Sequence, residues 1–522
     1  MGTEQSEGRG RPHQPMFSDD IDEPDRPAAP PDRPAAAADA SAVPGDGSAR
    51  RPGAAGRERP PRGDDRPAPG DDRPAPGDGD DRPSGALAWW QAGRDFRRDH
   101  PGWSGFLAGL LVGVLVVVGV GYLRPHLTDT SWEDGELVLL SGSDDSAGGQ
   151  RQELIAEWNR LHPEHPARIE EVPNIADAER SEMLARADGD GGPIDVLNLD
   201  VAFLPEFAEA GLLREFPDDD VDRDAFLSGP LGTCEYKGKL WALPFNTDAA
   251  LLYRRTALVP KAPSSWTSML ASIARVLEGN PRAGTVPEAG FVTQLGDYEG
   301  LTVNAIEAVW SAGGDIVDDD GHVHVDSRQA QEGLRQLVDG VHSDPKQILP
   351  TSLEYTEDAS TSAFRADRAL FMRNWPVAYR RLENPTEPGT TRIDFEVSPL
   401  PWPSVLGGQN LAIAEHSSHP RAAEALINFL TDSRSQQILF ERGGFAATRR
   451  VVYEDAKIKQ VYPYADELLK ALEAARPRPK SPHYALFSEV LREAVHTMLV
   501  TGAGPPPDLG DRLRAALRGE RR

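Results

Sequence analysis

Hydrophobic residues are spread unevenly along the 522-residue chain. Residues 1 to about 85 are built from Pro, Ala, Gly, Asp and Arg and contain almost no Val, Ile, Leu or aromatic side chains. Such a segment cannot offset the entropy cost of ordering its backbone. A seven-residue repeat within it, Asp64–Gly70 and then Asp71–Gly77, has two prolines per copy and no apolar seam, which argues against a coiled coil. We therefore predict that residues 1–102 form a disordered tail rich in Pro, Asp and Arg.

A single long apolar run follows the tail, and its twenty-one residues, 103–123, carry no charge. That length matches the ~20 residues that a helix needs to cross the ~30 Å hydrocarbon layer. A secretory signal peptide has a shorter apolar region of ~7 to 15 residues and lies near the N-terminus. The run predicts one transmembrane helix over residues 103–124 and a linker over residues 125–135. Arginines precede the run and acidic residues follow it, so the positive-inside tendency places the N-terminus in the cytoplasm and the rest of the chain outside the cell.

From Glu136 onward, short apolar runs alternate with segments that have apolar residues at helical spacing. Strands that alternate with helices predict an α/β fold with a mostly parallel sheet covered on both faces. The remaining length of about 370 residues exceeds what one core normally supports, so we expect two lobes. The first predicted elements are strands at Leu137–Ser141, Arg168–Val172 and Ile194–Leu199 and helices at Gln150–His162, Arg180–Ala187 and Phe203–Leu213.

Composition narrows the classes of function. A net charge of −27 argues against a nucleic-acid partner, which would need a basic patch to neutralise phosphates. Cys234 is the only cysteine, so the chain has no intramolecular disulfide and no multi-cysteine metal site, and no cofactor is expected. His322 and His324 could ligate a metal, but the turn-forming Asp and Gly residues before them favour a surface hairpin.

Several blocks of sequence occur in the order typical of one family. The resemblance lies between about residues 136 and 503 and is carried by Asp195–Asp200 with Phe207–Gly211, Lys237–Tyr253, Tyr298–Asn304 with Trp310–Gly314, Phe371–Pro376, Gly407–Ile413, and Arg476–Pro479 with Ser481–Tyr484. In these blocks the chain resembles the family 1 extracellular solute-binding proteins of ABC sugar importers, and most closely their trehalose/maltose-binding branch. The resemblance implies a monomer that binds a saccharide and delivers it to ABC permease subunits.

The same resemblance implies a two-lobed periplasmic-binding-protein fold of type II, with the sugar held between two α/β lobes. We expect the chain to cross between lobes near Asn246–Asp248, near Asn374–Pro376 and near Leu406–Gln409. The resulting boundaries are residues 136–246 and 375–406 for lobe 1, residues 247–374 and 407–503 for lobe 2, and residues 504–522 for a C-terminal tail. A ligand in the cleft would favour the closed form by its differential affinity.

A neutral sugar needs planar polar side chains around its hydroxyls and an aromatic ring against its C–H face. The blocks supply this mixture, and we expect the ligand to be bound by Asp144, Asp145, Asp200, Asn246, Asp248, Tyr298, Glu299, Asn374, Trp375, Gly408, Gln409 and Arg478. Asp200 ends a predicted strand, where open α/β sheets place ligands, although it could instead cap the next helix. The polar residues at 246–248 could equally form a plain turn.

Other candidates also have simpler explanations. Trp375 precedes Pro376, which keeps its backbone extended, yet a Trp beside an apolar strand is more often part of a core. Glu299 could be a first-turn acid favoured by the helix dipole. Asp144 and Asp145 could be solvated loop acids, and Arg478 could pair with an acid rather than with the sugar.

Two further points concern function. Gln409 stands where the trehalose/maltose branch commonly has an aromatic residue after the paired glycines, which puts the identity of the sugar in doubt. The chain could instead be a glycoside hydrolase, if two carboxylates ~5 to 10 Å apart flanked the glycosidic bond. No nucleophile elbow, zinc-binding helix or phosphate-binding loop appears in the sequence. The other alternative to transport is a sensory role, in which the binding domain reports the presence of sugar to cytoplasmic partners through the tail.

Overall fold

The structure, a computed structural model, describes residues 132–144, 146, 148–188, 192–219, 221–279, 286–318, 320–383 and 393–521. The predicted tail, the predicted transmembrane helix, residues 125–131 of the linker and Asp145 lie outside the described residues. Within the described part of the chain, no helix is both long enough and apolar enough to span a bilayer.

The first lobe is organised around a five-stranded sheet in the order β2-β1-β3-β11-β6. Its strands are β1 (Leu137–Gly142), β2 (Ala167–Val172), β3 (Val196–Asp200), β6 (Ala242–Ala249) and β11 (Leu406–Ile413). The first three strands run parallel, and β11 lies antiparallel between β3 and β6. All six residues of β1 are buried, as expected for a parallel strand that is covered on both faces.

The second lobe has a four-stranded sheet in the order β10-β7-β9-β8. Its strands are β7 (Leu251–Arg255), β8 (Ala289–Val292), β9 (Ala369–Asn374) and β10 (Phe395–Pro399). A separate two-stranded hairpin belongs to lobe 1 and is formed by β4 (Glu235–Tyr236) and β5 (Lys239–Leu240). The β8 and β9 strands are parallel, whereas β7 is antiparallel to both of its neighbours.

Helices cover both sheets. They are α1 (Gln150–Leu161), α2 (Ala176–Ala187), α3 (Leu204–Glu209), α4 (Ser228–Thr233), α5 (Trp266–Leu277), α6 (Glu299–Ser311), α7 (Arg328–His342), α8 (Glu357–Arg365), α9 (Val377–Glu383), α10 (Pro420–Leu430), α11 (Ser433–Ile438), α12 (Ala456–Val461), α13 (Ala465–Ala474), α14 (Tyr484–Thr501) and α15 (Leu509–Ala516). The α1 helix buries Leu154, Ile155 and Trp158 at the spacing expected for one helical face. Trp132, near the end of the predicted linker, stacks on Trp158 with ring centres 5.5 Å apart.

Within the described residues the chain changes lobes three times, and only some of these changes lie where they were predicted. The first change is at Ala250, directly after β6, and is close to the prediction. The second lies at residues 400–405, between β10 and β11, and the third lies at residues 475–483, between α13 and α14. No change of sheet occurs near residues 374–376, because β9 and β10 belong to the same sheet.

These crossings correct the predicted lobe boundaries. Residues 375–406 were expected in lobe 1, but β10 within them pairs with β7 of the second sheet. Residues 407–503 were expected in lobe 2, but β11 completes the first sheet. Strand pairing is set by partners far away in the sequence, and an apolar strand carries no local mark of the sheet that it joins.

The predicted C-terminal tail is also wrong in part, because residues 504–522 contain α15. Its Leu509 and Leu513 are buried, and the helix packs against α14 of lobe 2. The four-residue spacing of these leucines places them on one helical face, and this explains the packing.

Candidate functional site

A cleft of about 330 Å³ lies between the two lobes. It contains nine of the twelve predicted ligand-binding residues, namely Asp200, Asn246, Asp248, Tyr298, Glu299, Trp375, Gly408, Gln409 and Arg478. Lobe 1 supplies the ends of β3 and β6 together with the start of β11. Lobe 2 supplies the start of α6 and the residue after β9. The candidate site is therefore built from both lobes, as a closing cleft requires.

A larger cavity of about 530 Å³ lies beside residues 476–481 and is lined mainly by lobe 2. Two of its polar side chains, Trp310 and Arg476, are engaged by Asp315, which also lines it. The Trp310 indole N–H donates to Asp315 at 2.7 Å, and Arg476 donates to the same carboxylate at 2.8 Å. The cleft between the lobes is lined by Asn246 and Asp248, and each has a buried side-chain oxygen with no hydrogen-bond partner among the described residues, so we place the candidate site there.

Three side chains form a row across the first sheet at the cleft. Gln409 of β11 is the direct cross-strand partner of Asp200 on β3 and of Asn246 on β6. Residues paired in this way project from the same face of a sheet. Asp200 Oδ1 accepts hydrogen bonds from the Ala202 N–H at 2.8 Å and from Arg478 at 2.6 Å. Asp200 thus orders the turn before α3 rather than capping that helix, which has no side-chain cap.

The polar residues at 246–248 do not form a turn, because they lie inside β6. Asn246 Oδ1 and Asp248 Oδ1 are both buried and have no hydrogen-bond partner among the described residues. Burial raises the pKa of Asp248 to about 8, and the negative charge of nearby Asp200 acts in the same direction. A protonated Asp248 carboxyl can donate as well as accept a hydrogen bond.

Gly408 lets β11 and β6 approach closely beside the cleft. Its φ is +119°, and a Cβ there would lie 2.3 Å from the Asn246 carbonyl oxygen and 2.7 Å from the Thr247 Cα. No side chain fits in that space without moving the β6 backbone. The pairing register with β6 shifts just after Gly408, between Gln409 and Asn410.

Arg478 lies on the third crossing between lobes and joins acids from both of them. Its side chain is 3% exposed, and it donates to Asp200 of lobe 1 at 2.6 Å and to Glu299 of lobe 2 at 2.9 Å. Burial alone would lower the pKa of Arg478, but the surrounding negative groups, Asp200 foremost, raise it. Its Nε has no acceptor among the described residues.

Glu299 is the first residue of α6, yet it does more than complement the helix dipole. Its carboxylate is buried and accepts hydrogen bonds from Arg478 and from the hydroxyls of Tyr484 and Ser488. Burial raises the pKa of Glu299, and these three donors oppose the rise. Its backbone N–H donates to Asp177 of lobe 1 at 2.9 Å, which ties the start of α6 to the opposite lobe.

Two aromatic residues meet at Glu357. The Trp375 indole N–H donates to Glu357 Oε1 at 3.2 Å, and the Tyr298 hydroxyl donates to Glu357 Oε2 at 2.8 Å. Burial and the neighbouring Glu357 raise the pKa of Tyr298 well above its usual value. The Arg373 guanidinium lies 3.8 Å from the centre of the Trp375 ring. Trp375 is only partly buried and borders the cleft, unlike a core tryptophan.

Two predicted residues do not line the cleft, for reasons visible in their contacts. Asn374 is buried, and its amide donates to the Glu357 carbonyl and to Thr361, each at 3.0 Å. Asp144 accepts from the Arg151 N–H at 3.0 Å and so holds the first turn of α1. Both side chains support local structure. Asp145 lies outside the described residues.

The sequence analysis missed Arg151, Glu179, Glu357 and Phe445, which also line the cleft. Arg151 donates to Gln409 Oε1 at 2.7 Å, and its guanidinium lies 4.9 Å from the centre of the Phe445 ring. It occupies the first turn of α1, where the helix dipole disfavours a positive charge. An arginine at the start of a predicted helix was the signal available in the sequence.

Comparisons with known proteins agree with this architecture. The profile of the family described as bacterial extracellular solute-binding protein matches residues 164–468, which is more than half of the chain. The chain belongs to this family. A "Probable ABC transporter-binding protein" of Deinococcus radiodurans is 28% identical to the solute-binding chain over 357 residues, which cover 66% of this chain and 84% of the relative. The "Maltotriose-binding protein" of Pyrococcus abyssi is 24% identical over 63% of this chain and 70% of its own length.

Solved structures extend the comparison. The maltose-bound T. maritima MalE3 superposes on this solute-binding protein with a TM-score of 0.64 and 28% identity, over 74% of this chain and 98% of its own. The GacH receptor of Streptomyces glaucescens has the same TM-score at 21% identity, over 74% of this chain and 100% of its own. The expected family and the two-lobed α/β periplasmic-binding-protein fold are thereby confirmed.

Proposed function

We propose that this solute-binding protein captures a disaccharide or oligosaccharide between its lobes and delivers it, chemically unchanged, to an ABC importer. The observation that carries the proposal is the row of Asp200, Gln409 and Asn246 across the sheet, with Trp375 bordering the same cleft. The maltose-bound neighbour and the maltotriose-binding relative support a saccharide, and the ABC transporter-binding relative supports an import role.

The unpaired polar atoms in the cleft support this ligand class. Asn246 Oδ1 and Asp248 Oδ1 can accept hydrogen bonds from hydroxyls, and Arg478 Nε can donate one. Leaving such buried groups unpaired costs about 1–3 kcal/mol each, which a ligand recovers when it pairs with them. A sugar carries many hydroxyls and no charge, so it satisfies these atoms without burying another ion.

Contacts between the lobes support capture by closure. Asp177 of lobe 1 accepts from Arg492 of lobe 2 at 2.6 Å and from the Glu299 N–H at 2.9 Å. Both contacts lie next to the cleft-lining residues Ala176 and Glu299. A ligand that also joins the lobes would add its binding energy to the closed form.

The apolar run at residues 103–123 supports the further proposal that the protein is anchored in the cell membrane by one helix, with the N-terminus in the cytoplasm and the binding domain outside. An uncleaved anchor would keep the binding domain near its permease, at a high effective concentration. Cysteine labelling on intact cells tests this topology, with single cysteines placed at Ser48 and at exposed Asp466 in a variant lacking Cys234. Labelling at position 48 from outside the cell would refute it.

Saccharide binding is tested by calorimetry on the full-length protein in nanodiscs, with maltose, maltotriose and trehalose as probes. Binding to the folded state alone raises its stability by about 2.7 kcal/mol at a ligand concentration of 100 Kd. Product analysis after long incubation distinguishes a binding protein from a hydrolase. Failure of all three sugars to bind would refute the saccharide, and a hydrolysed product would refute release of an unchanged ligand.

The substitution Trp375→Ala tests whether the cleft is the binding site. We expect it to weaken sugar binding about ten-fold, because contact of an aromatic ring with the C–H face of a sugar contributes about 1 kcal/mol and the hydrogen bond to Glu357 is lost as well. Trp241→Ala is the matched control, since that indole bonds to the Tyr236 carbonyl in the β4–β5 hairpin, outside the cleft. Equal affinity of wild type and Trp375→Ala would remove Trp375 from the site.

A further inference from the structure

We infer that Gln409 is held as a hydrogen-bond donor to one ligand hydroxyl, and that Arg151 is the positioning residue that fixes this orientation. The inference rests on the proposed saccharide binding and assigns Arg151 a part in the specificity of that site. It begins with the contacts of the Gln409 amide.

The Gln409 amide has one orientation that its neighbours accept. Arg151 Nη2 donates to Gln409 Oε1 at 2.7 Å, and Asn198 Nδ2 donates to the same oxygen at 3.1 Å. A flipped amide would place its NH₂ group against a guanidinium that has only donors. The oxygen therefore stays on the protein side. No described residue accepts a hydrogen bond from Gln409 Nε2, and Gln409 borders the cleft.

The Arg151 guanidinium is itself held by several contacts, and it therefore fixes the orientation of the Gln409 amide. Its side chain is 5% exposed, and Nη1 donates to Ser141 Oγ at 3.0 Å and to the Gly142 carbonyl at 3.2 Å. The guanidinium also lies 4.9 Å from the centre of the Phe445 ring. Planar contacts and several fixed hydrogen bonds suit arginine, whereas lysine offers only a point charge.

The neighbours of Gln409 in the row determine which ligand group fits. Asp200 Oδ1 is occupied by Arg478 and by the Ala202 N–H, whereas no described residue donates to Asp200 Oδ2. Asn246 Oδ1 on the other side also lacks a donor. The row therefore presents acceptor, donor and acceptor groups in order. A hydroxyl suits this row, because it can donate to one acceptor while accepting from Gln409.

The first test replaces the donor without changing the shape of the side chain. Gln409→Glu keeps an oxygen for Arg151. It replaces the NH₂ group that faces the ligand with a second oxygen. We expect the affinity for whichever of maltose, maltotriose and trehalose binds wild type most tightly to fall at least ten-fold, while the melting temperature does not fall. Gln331→Glu, at a partly exposed position of α7 outside the cleft, is the matched control. Binding by Gln409→Glu within two-fold of wild type would overturn the assignment of a donor.

The second test asks whether Arg151 acts through Gln409. Arg151→Lys should weaken binding of the same sugar about ten-fold in the wild-type background, but less than two-fold in a Gln409→Leu background, because the amide to be positioned is then absent. A loss of equal size in both backgrounds would overturn the positioning role, as would the absence of any loss in the wild-type background.

The same experiments separate this inference from the proposed function. Absence of sugar binding by wild type would refute the proposed function and the inference together. Sugar binding by wild type that is unaffected by the Gln409 substitutions would refute the inference alone.

Discussion

Asp248→Asn should change how the stability of this protein depends on pH. Asp248 lies on β6 with its Oδ1 buried and unpaired, and burial raises the pKa of the carboxyl from 3.8 to about 8. At pH 7 the folded protein therefore holds a proton at Asp248 that the unfolded chain has released. Asparagine has nearly the same shape and takes up no proton, so the substitution removes only this titration.

The sign and size of the effect follow from proton linkage. A group whose folded pKa is raised contributes stability that is fully present below the unfolded pKa and is lost as pH rises through the folded pKa. For Asp248 this window extends from about pH 4 to about pH 8. One proton changes the free energy of unfolding by about 1.4 kcal/mol per pH unit. Between pH 5 and pH 7, the stability of Asp248→Asn relative to wild type should therefore rise by about 2.7 kcal/mol.

Urea unfolding followed by tryptophan fluorescence at pH 5, 6, 7 and 8 measures this difference, on both proteins without ligand. Asp219→Asn, in an exposed loop, is the control and should keep a constant offset from wild type at every pH. A constant difference between wild type and Asp248→Asn over the same range would show that Asp248 ionises normally, and the argument from burial would be refuted.

Two further substitutions test the connections between the lobes. Arg478→Met leaves buried Glu299 without its cationic partner, so we expect the free energy of unfolding in urea at pH 7 to fall by about 3–5 kcal/mol. The loss should be smaller at pH 5, because burial raises the pKa of Glu299 and favours uptake of a proton as the pH falls. A loss that is the same at both pH values would contradict this reasoning. Arg492→Met removes the 2.6 Å contact with Asp177 and should increase the radius of gyration of the unliganded protein in X-ray scattering and weaken sugar binding a few-fold. An unchanged radius and affinity would exclude the pair as a contact that favours closure.

Much of the fold was predictable because its elements have strong local patterns. The β1 strand is a run of apolar residues, and α1 has apolar residues at helical spacing, so both were expected close to their observed bounds. The two-lobed arrangement followed from the resemblance. The second crossing, which the resemblance suggested near Asn374–Pro376, was misplaced, because Pro376 begins the turn before α9 within lobe 2.

The strand that completes the first sheet shows the limit of local patterns. The sequence of β11, in which Gly407 and Gly408 precede Gln409, is compatible with a strand of either lobe. Its assignment depends on pairing with β3, about two hundred residues earlier in the chain. No propensity within residues 406–413 contains that information.

The residues of the candidate site were likewise predictable only in part. Asp200 was predictable because a polar residue ended a buried strand, which is where α/β sheets bind ligands. Arg151 was not predictable, because its role depends on Gln409, 258 residues away in the sequence. Asn374 was expected in the cleft together with Trp375, at a predicted crossing between the lobes, but consecutive residues of an extended chain project in opposite directions. The tryptophan borders the cleft, whereas the asparagine is buried beneath it.

Under the proposed function, Asp200 would connect ligand binding to the opening and closing of the lobes. One of its oxygens bonds to Arg478 on a crossing segment, and its other oxygen faces no donor among the described residues. Arg478 also bonds to Glu299 of the opposite lobe. If the lobes open as proposed, Asp200 and Glu299 move apart, and Arg478 can then keep at most one of these two contacts unless the crossing segment rearranges. A hydroxyl bound to the second oxygen of Asp200 helps to hold that carboxylate in place, and it therefore favours the arrangement in which Arg478 reaches both acids.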